Sequence, residues 1–195
     1  TGYRKEVEDF IDVADDLATL QASANTNIEQ AADAFKLVGP IAAGMEIEFG
    51  DTAAAIGILA NNGFQATLAG TGLRGALTKL ANPSAEAARV FHRLKIRPED
   101  LLDAEGNVKS FATVVRVLGE AGATTGDLLT IFGQRAGPAM AALIGSGSDA
   151  LAEMRAKLDD NAGSAKKMRE EMEAGLPGAF KQLKSATQEL FLSVG

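Results

Sequence analysis

The sequence predicts an all-α protein, a compact multi-helix bundle of about nine to ten helices that ends in a longer helix with short coiled-coil-like spacing. Apolar residues recur every three or four positions through most of the chain, and no segment shows the two-residue alternation of a half-buried strand. Hydrophobic residues make up 46% of the 195 positions, with no tryptophan and a single tyrosine. Because alanine, leucine, isoleucine and valine supply most of this apolar content, we expect closely packed helices.

The first two helices are predicted from amphipathic spacing and a capping pattern. The first begins near Val7 and carries apolar and acidic residues on opposite faces. The second is predicted to start at Thr26, which can form a capping box with Glu29 and so satisfy exposed backbone N–H groups. At Gly39-Pro40 the proline ring and its missing N–H group predict a kink or a break.

The next three helices are predicted from cap and breaker residues. Asp51 can cap the third helix, which ends at Asn62-Gly63 because glycine permits a left-handed terminating conformation. A fourth helix covers about residues 66–80. The fifth is predicted to open at Asn82-Pro83, since proline is favoured at the first helical position after a capping residue.

The middle of the chain predicts shorter elements. Pro98 begins one short helical turn, and the polar residues 103–109 indicate a turn. Ser110 can cap a helix over residues 111–120. Thr124 lies in a run of polar residues that starts a further short helix.

Glycine and proline are expected to interrupt the helical pattern that follows. The interruptions are predicted at Gly133, at Gly137-Pro138 and at residues 145–148. Ser148 or Asp149 can then cap a helix to about residue 158. Most of the 21 glycines are expected at helix ends or at close helix crossings, because each costs about 1 kcal/mol relative to alanine inside a helix.

The chain is predicted to divide into a compact helical domain at residues 1–163 and a long helix at residues 164–195. In the second part, apolar residues step alternately by four and three, which is the spacing of a coiled-coil seam. Two alternatives remain open: this helix packs on its own domain, or the seam continues into a longer rod or an oligomer. The possible interaction seam contains Leu176, Phe180, Leu183, Leu190 and Val194.

Residues 70–75 match the dinucleotide-binding pattern GxGxxG letter for letter. That chemistry requires the glycines between a strand and a helix, so that a pyrophosphate can reach the helix N-terminus. No strand pattern precedes Gly70, because residues 53–69 are rich in alanine and interrupted by Asn62-Gly63. Close helix packing, or a loop before the helix, is therefore the favoured interpretation.

No catalytic, cofactor-binding or metal-binding residue is predicted, and we expect no enzymatic activity. His92 is the single histidine of the chain, so neither a histidine metal pair nor a histidine-based triad can form, and an exposed position is favoured. Asp103, Glu105 and Asn107 suggest a calcium loop, but an EF-hand counted from its glycine lacks both end ligands, which favours a solvated turn. Paired carboxylates such as Asp159-Asp160 point in different directions from a helix.

Charge and composition exclude several classes of partner and structure. A net charge of −7 argues against nucleic acid, because phosphate backbones attract basic surfaces. The absence of cysteine excludes disulfide and thiol chemistry. The apolar runs reach only about half of the roughly 20 residues that a membrane-spanning helix needs. Helical patterns continue to both ends, which predicts a piece of a longer polypeptide.

Two blocks of sequence resemble the core region of phage tail tape measure proteins of the TP901 type. The first block contains residues 35–43, 51–63 and 70–83, in the family's order and spacing. The second covers residues 129–165 and includes patterns similar to the family's LFG and LxDNAGSA motifs. The matches are specific in combination and extend over most of the chain.

This resemblance implies a structural protein of a tailed phage or prophage. Such a protein is the scaffold around which tail tube subunits polymerise, its total length sets tail length, and it is released ahead of the DNA at genome ejection. The implied partners are tail tube proteins, other tail assembly proteins and other copies of the protein, with no cofactor and no small-molecule substrate. The implied location is the interior of the virion tail, with the host cytoplasm during assembly.

Two alternatives stay open from sequence. The chain could be a helical protein-interaction module unrelated to phage, since nothing in its composition is unique to tails. It could also be a membrane-active helical bundle that is used in genome delivery, with membrane contact restricted to ejection. Genomic neighbourhood and liposome leakage would separate these alternatives from the tail scaffold.

Overall fold

The computed structural model describes residues 7–160, with side chains from Val13 onward, and all the regular elements in this range are helices. One isolated antiparallel bridge joins Leu102 to Val108 within the described part. The all-α prediction is confirmed. The predicted helix 164–195 and its seam lie outside the described residues. The eight helices of residues 7–160 are α1 Val7–Ser23, α2 Ile28–Gly44, α3 Phe49–Asn61, α4 Thr67–Ala81, α5 Ala85–Arg93, α6 Pro98–Leu101, α7 Phe111–Glu120 and α8 Thr125–Asp159.

Three predicted helix starts are wrong by one to three residues. The capping box of α2 pairs Asn27 with Gln30, whose backbone N–H donates to the Asn27 side chain at 2.8 Å, so the predicted Thr26 and Glu29 are one residue out of register. This register buries Ile28 at the start of the helix. In α3, the N-cap is Glu48 without a side-chain cap, and the predicted cap Asp51 lies inside the first turn.

The start of α5 is the third correction. The backbone N–H of Ala87 donates to the Ser84 hydroxyl at 3.2 Å, which makes Ser84 the N-cap in place of the predicted Asn82-Pro83. A serine hydroxyl can accept a hydrogen bond from the first turn. Pro83, the residue before Ser84, therefore lies outside the helix. The predicted cap Ser110 is confirmed by a bond of 3.2 Å from the N–H of Thr113.

Helix ends follow a common hydrogen-bonding scheme with one residue in the left-handed region. At the end of α3, Gly63 has φ 85°, and the Phe64 N–H donates to the Leu59 carbonyl at 2.9 Å. This Schellman arrangement confirms the predicted Asn62-Gly63 terminus. At the end of α5 the same position is occupied by Lys95, a non-glycine residue with φ 58°.

Both prolines inside the described helices are tolerated. Pro40 lies inside α2, which continues unbroken to Gly44, so of the predicted kink or break the break does not occur. Pro138 lies inside α8, and the predicted interruption at Gly137-Pro138 is likewise wrong. A proline removes one backbone hydrogen bond, and buried neighbours on the same helices, such as Val38 and Met140, hold these turns in the core.

Helix α8 changes direction twice, at the two glycines where interruptions were predicted. Gly133 has φ 76° and ψ 178°, and Gly147 has φ 84° and ψ 162°, which are conformations that essentially only glycine adopts. These departures divide α8 into segments 125–132, 134–146 and 148–159. Each segment can therefore pack on a different set of helices.

The core is organised around α3 and α8. Helix α3 is buried on nearly its whole circumference, as expected for a helix that is apolar all round. Helix α8 packs against α3, α4, α5 and α7, and α2 packs mainly against α4. Stacked rings of Phe35 and Phe49, with centroids 4.3 Å apart, join α2 to the start of α3.

Candidate interaction surfaces

The GxGxxG residues lie in the middle of α4 and not in a phosphate-binding loop. A Cβ atom on Gly70 would lie 2.9 Å from the Cα of Ala34 in α2. On the other side of α4, a Cβ on Gly72 would lie 2.6 Å from the Cβ of Ala139 in α8. The backbone N–H groups of a helix interior are used within the helix, so they cannot hold a pyrophosphate. The helix-packing interpretation is confirmed.

The polar turn after α6 is stabilised by its own side chain. The carboxylate of Asp103 accepts the backbone N–H of Glu105 at 3.0 Å and that of Asn107 at 2.8 Å. Gly106 has φ 86°, which completes the turn. The solvated-turn interpretation is therefore supported by geometry. Across the described residues, no group of three or more His, Cys, Asp or Glu side chains could hold a metal ion.

Arg155 forms an ion-pair cluster that fastens the last segment of α8 to the start of α3. Its guanidinium lies 3.1 Å from Glu48, 3.8 Å from Asp51 and 2.9 Å from Asp159. The guanidinium occupies the space that a side chain on Gly50 would need. Burial raises the pKa of Asp51, an effect that the positive charge of Arg155 opposes. The cluster joins residues about 100 positions apart, and no local sequence signal predicts it.

A second ion pair fastens α5 to the start of α8. The guanidinium of Arg93 pairs with Asp127, which also accepts hydrogen bonds from the backbone N–H and hydroxyl of Thr124. The hydrogen bonds from Thr124 hold the pKa of Asp127 below its usual value, and Arg93 lowers it further. Thr124 and Asp127 also form the capping box of α8. This arrangement orients α5 on the body of the protein.

An open apolar groove lies between α5 and α6. Its volume is about 450 Å³. Leu80, Ile96 and Leu101 are buried in its floor, while Phe91 is half-buried. His92 is exposed on its wall, as predicted. The complete lining consists of Leu80, Pro83, Ala88, Phe91, His92, Ile96, Arg97, Pro98, Leu101 and Leu102.

Sequence reasoning did not find this groove. Its walls come from two short helices whose relative orientation is set by the left-handed Lys95 and by the Ile96 N–H bond of 2.9 Å to Phe91. The predicted seam residues are outside the described range, so the structure neither brings them together nor separates them. Among the helices of residues 7–160, none has the length and apolar character needed to cross a bilayer.

Comparison with known proteins places this helical bundle in a family. The family described as phage-related minor tail protein matches residues 1–133. The chain belongs to this family.

This member of the phage-related minor tail protein family is also similar to two curated proteins. It is 32% identical over 188 residues to the tape measure protein of Pneumococcus phage Dp-1, a match that covers 93% of this chain and 16% of that protein. It is 26% identical over 184 residues to the probable tape measure protein of Escherichia phage P2, which covers 89% of this chain and 22% of that protein. No solved structure matches it.

These comparisons confirm the resemblance to tape measure proteins and a structural role in the phage tail. A structural tail protein is a component of the virion. These comparisons support neither of the two alternatives, the interaction module unrelated to phage and the membrane-active bundle. The chain spans about a fifth or less of the length of the curated relatives, so the described bundle corresponds to one part of such proteins.

Proposed function

We propose that this chain is a folded module of a tape measure protein, which acts as a scaffold for tail tube polymerisation, determines tail length and is released at genome ejection. The observation that carries the proposal is the match along about nine-tenths of the chain to tape measure proteins of two phages. The module acts through surfaces and not through catalysis. Its proposed location is the tail interior, and the host cytoplasm during assembly.

The arrangement of the described helices supports separate roles for different parts of such a protein. A helix rises 1.5 Å per residue, so the 35 residues of α8, the longest described helix, span roughly 50 Å even without its two changes of direction. Five of the other described helices pack on α8, namely α1, α3, α4, α5 and α7, while α2 packs mainly on α4 and α6 on α7. The length-determining part would therefore lie elsewhere in the longer relatives, with this bundle as a compact body attached to it.

The proposed partners are tail tube proteins, other tail assembly proteins and other copies of the chain. The seam of Leu176, Phe180, Leu183, Leu190 and Val194 would continue the domain at residues 1–163 into a rod through the helix at 164–195. Apolar steps of four and three suit pairing with another helix. Nucleic acid remains an unfavoured partner because the chain carries a net charge of −7.

Tail length in the phage that encodes this chain tests the proposal. In-frame deletions in the helical part of the full-length protein outside this bundle should shorten tails by about 1.5 Å per deleted residue, measured by electron microscopy. Replacing Gly70 by leucine, which would collide with α2, should instead reduce the number of tails without producing a new defined length. Tails of unchanged length after large deletions would contradict the ruler function.

A further inference from the structure

The groove between α5 and α6 has the geometry of a helix-binding site. Ala88, Phe91 and His92 stand at relative positions i, i+3 and i+4 and form one wall from a single face of α5. Pro98 and Leu102 form the opposite wall, and Leu101 lies in the floor. Apolar grooves of this kind accept amphipathic helices, whose anchoring side chains recur at the same helical spacing.

The groove is held open by the fold. Lys95 adopts a left-handed conformation at the end of α5. Its N–H donates to the His92 carbonyl at 3.1 Å, and the Ile96 N–H donates to the Phe91 carbonyl at 2.9 Å. The Arg93 pair with Asp127 fixes α5 on α8, and the Lys109 ammonium donates to the Glu99 carbonyl at 2.8 Å to hold α6. The walls are therefore preformed, which lowers the entropic cost of binding.

The groove lies in a positively charged region of an acidic protein. Residues 79–101 contain five basic and three acidic side chains and carry a net charge of +2, whereas residues 7–78 contain two basic and ten acidic side chains and carry −8. Arg97, on the groove wall, is its one formally charged lining residue. Charge complementarity favours an acidic occupant, because opposite potentials steer association and reject like-charged competitors.

The basic side chains near the groove differ in their availability. Arg93 is engaged with Asp127, and Arg97 with Glu99 at 3.2 Å and Asp100 at 3.1 Å. The guanidinium of Arg89 lies 3.7 Å from the Glu86 carboxylate, but both side chains are largely exposed, so this ion pair contributes little to stability. Arg89 can therefore leave Glu86 for a carboxylate of a partner. Lys95 is exposed and forms no ion pair with any residue of the described range. Arg89 and Lys95 can therefore contact acidic groups of an incoming helix.

We propose that the groove between α5 and α6 binds an acidic amphipathic helix of a partner protein, with apolar anchors on Phe91 and Leu101 and carboxylates near Arg89 and Lys95. The acidic helix α1 of a second copy does not fit, because the apolar residues in its described half, including Val13 and Leu17, are already buried in the core. This site does not depend on the proposed role in tail length, since it requires only the described bundle.

The test uses the full 195-residue chain and two synthetic helical peptides. Both peptides carry leucine and phenylalanine at positions i, i+3, i+4 and i+7, and their polar faces contain glutamate in one and lysine in the other. The acidic peptide should bind about tenfold more tightly than the basic one, by fluorescence anisotropy, and added salt should weaken it. Because His92 is the single histidine, its imidazole NMR signals report directly on the groove wall and should shift on binding.

Two exposed alanines of α5 supply a matched pair of variants. Ala88→Glu introduces a carboxylate into the groove and should weaken the acidic peptide at least about tenfold. Ala85→Glu makes the same change outside the lining and should alter affinity less than about twofold. Circular dichroism confirms folding of both variants. Equal binding of the two peptides, equal effects of the two variants, unshifted His92 signals, or no binding would each overturn the proposal.

Discussion

Substitution of Gly147 by alanine tests whether α8 truly changes direction there. Gly147 has φ 84° and ψ 162°, and nothing lies within 4 Å of a Cβ atom built on it. The cost of alanine is therefore one of backbone conformation and not of collision. Such conformations cost of order 1–3 kcal/mol for residues other than glycine.

Gly145 provides the matched control two residues earlier. It is exposed, lies in the helical part of α8, and likewise has nothing within 4 Å of an added Cβ. Alanine there should stabilise the protein by up to about 1 kcal/mol, because glycine is the poorer helix former. The two glycine-to-alanine changes are chemically identical and should have opposite signs.

Thermal unfolding and urea unfolding, each followed by circular dichroism, measure both effects. For a protein of this size, 1 kcal/mol corresponds to about 2–4 °C in Tm, so Gly147→Ala should lower Tm by roughly 2–12 °C and Gly145→Ala should raise it by up to about 4 °C. If Gly147→Ala is neutral or stabilising, and the slope of the unfolding free energy against urea concentration stays unchanged, α8 is a continuous helix and the division into segments is wrong.

Four further predictions concern single contacts. In urea unfolding, Gly70→Ala in α4 should destabilise the protein by about 1–3 kcal/mol because the methyl group meets the backbone of α2. Gly44→Ala, at the end of α2 where an added methyl group meets open space, should be near neutral or slightly stabilising. Ser110→Ala removes the cap of α7 and should cost about 1 kcal/mol, and Ser110→Asp should restore most of it. Lys95→Gly relieves a left-handed residue and should raise stability by about 0.5–1 kcal/mol, while Lys95→Ala, which keeps a Cβ, should not. The pKa of Asp127 is lowered in the folded protein, so its contribution to the free energy of unfolding is present above the unfolded pKa of 3.8 and is lost as pH falls through the folded pKa. Asp127→Asn should therefore make the free energy of unfolding depend less steeply on pH in the acid range. An equally steep dependence in the variant would contradict this role of Asp127.

Helix positions could be predicted from sequence because apolar periodicity and capping residues act locally. Two of the three errors at helix starts, in α2 and α5, arose where two capping residues compete within a few positions, as with Thr26 and Asn27. In α2 the cap is Asn27, and Ile28 at the first helical position is buried, a feature that depends on the fold. The interruptions at Gly133 and Gly147 were predictable because glycine is required, whereas Pro138 is compatible with either outcome.

The interactions that join distant helices could not be predicted. Arg155 meets Glu48 and Asp51 only because the segment after Gly147 packs on α3, and no spacing rule connects residues so far apart. The groove has the same character, since it requires the orientation of α5 that Arg93 and Asp127 fix. Sequence reasoning therefore recovered the elements of the bundle and missed the surface features that their packing creates.

The segments that resemble tape measure proteins coincide with the inside of the bundle. Residues 35–43, 51–63 and 70–83 supply most of α2, α3 and α4, where the small residues Ala34, Gly70 and Gly72 allow close approach. A pattern of this kind specifies how helices pack, so it identifies the fold more directly than any partner. The groove helices α5 and α6 lie between these two blocks of residues but within the region that matches the family, residues 1–133.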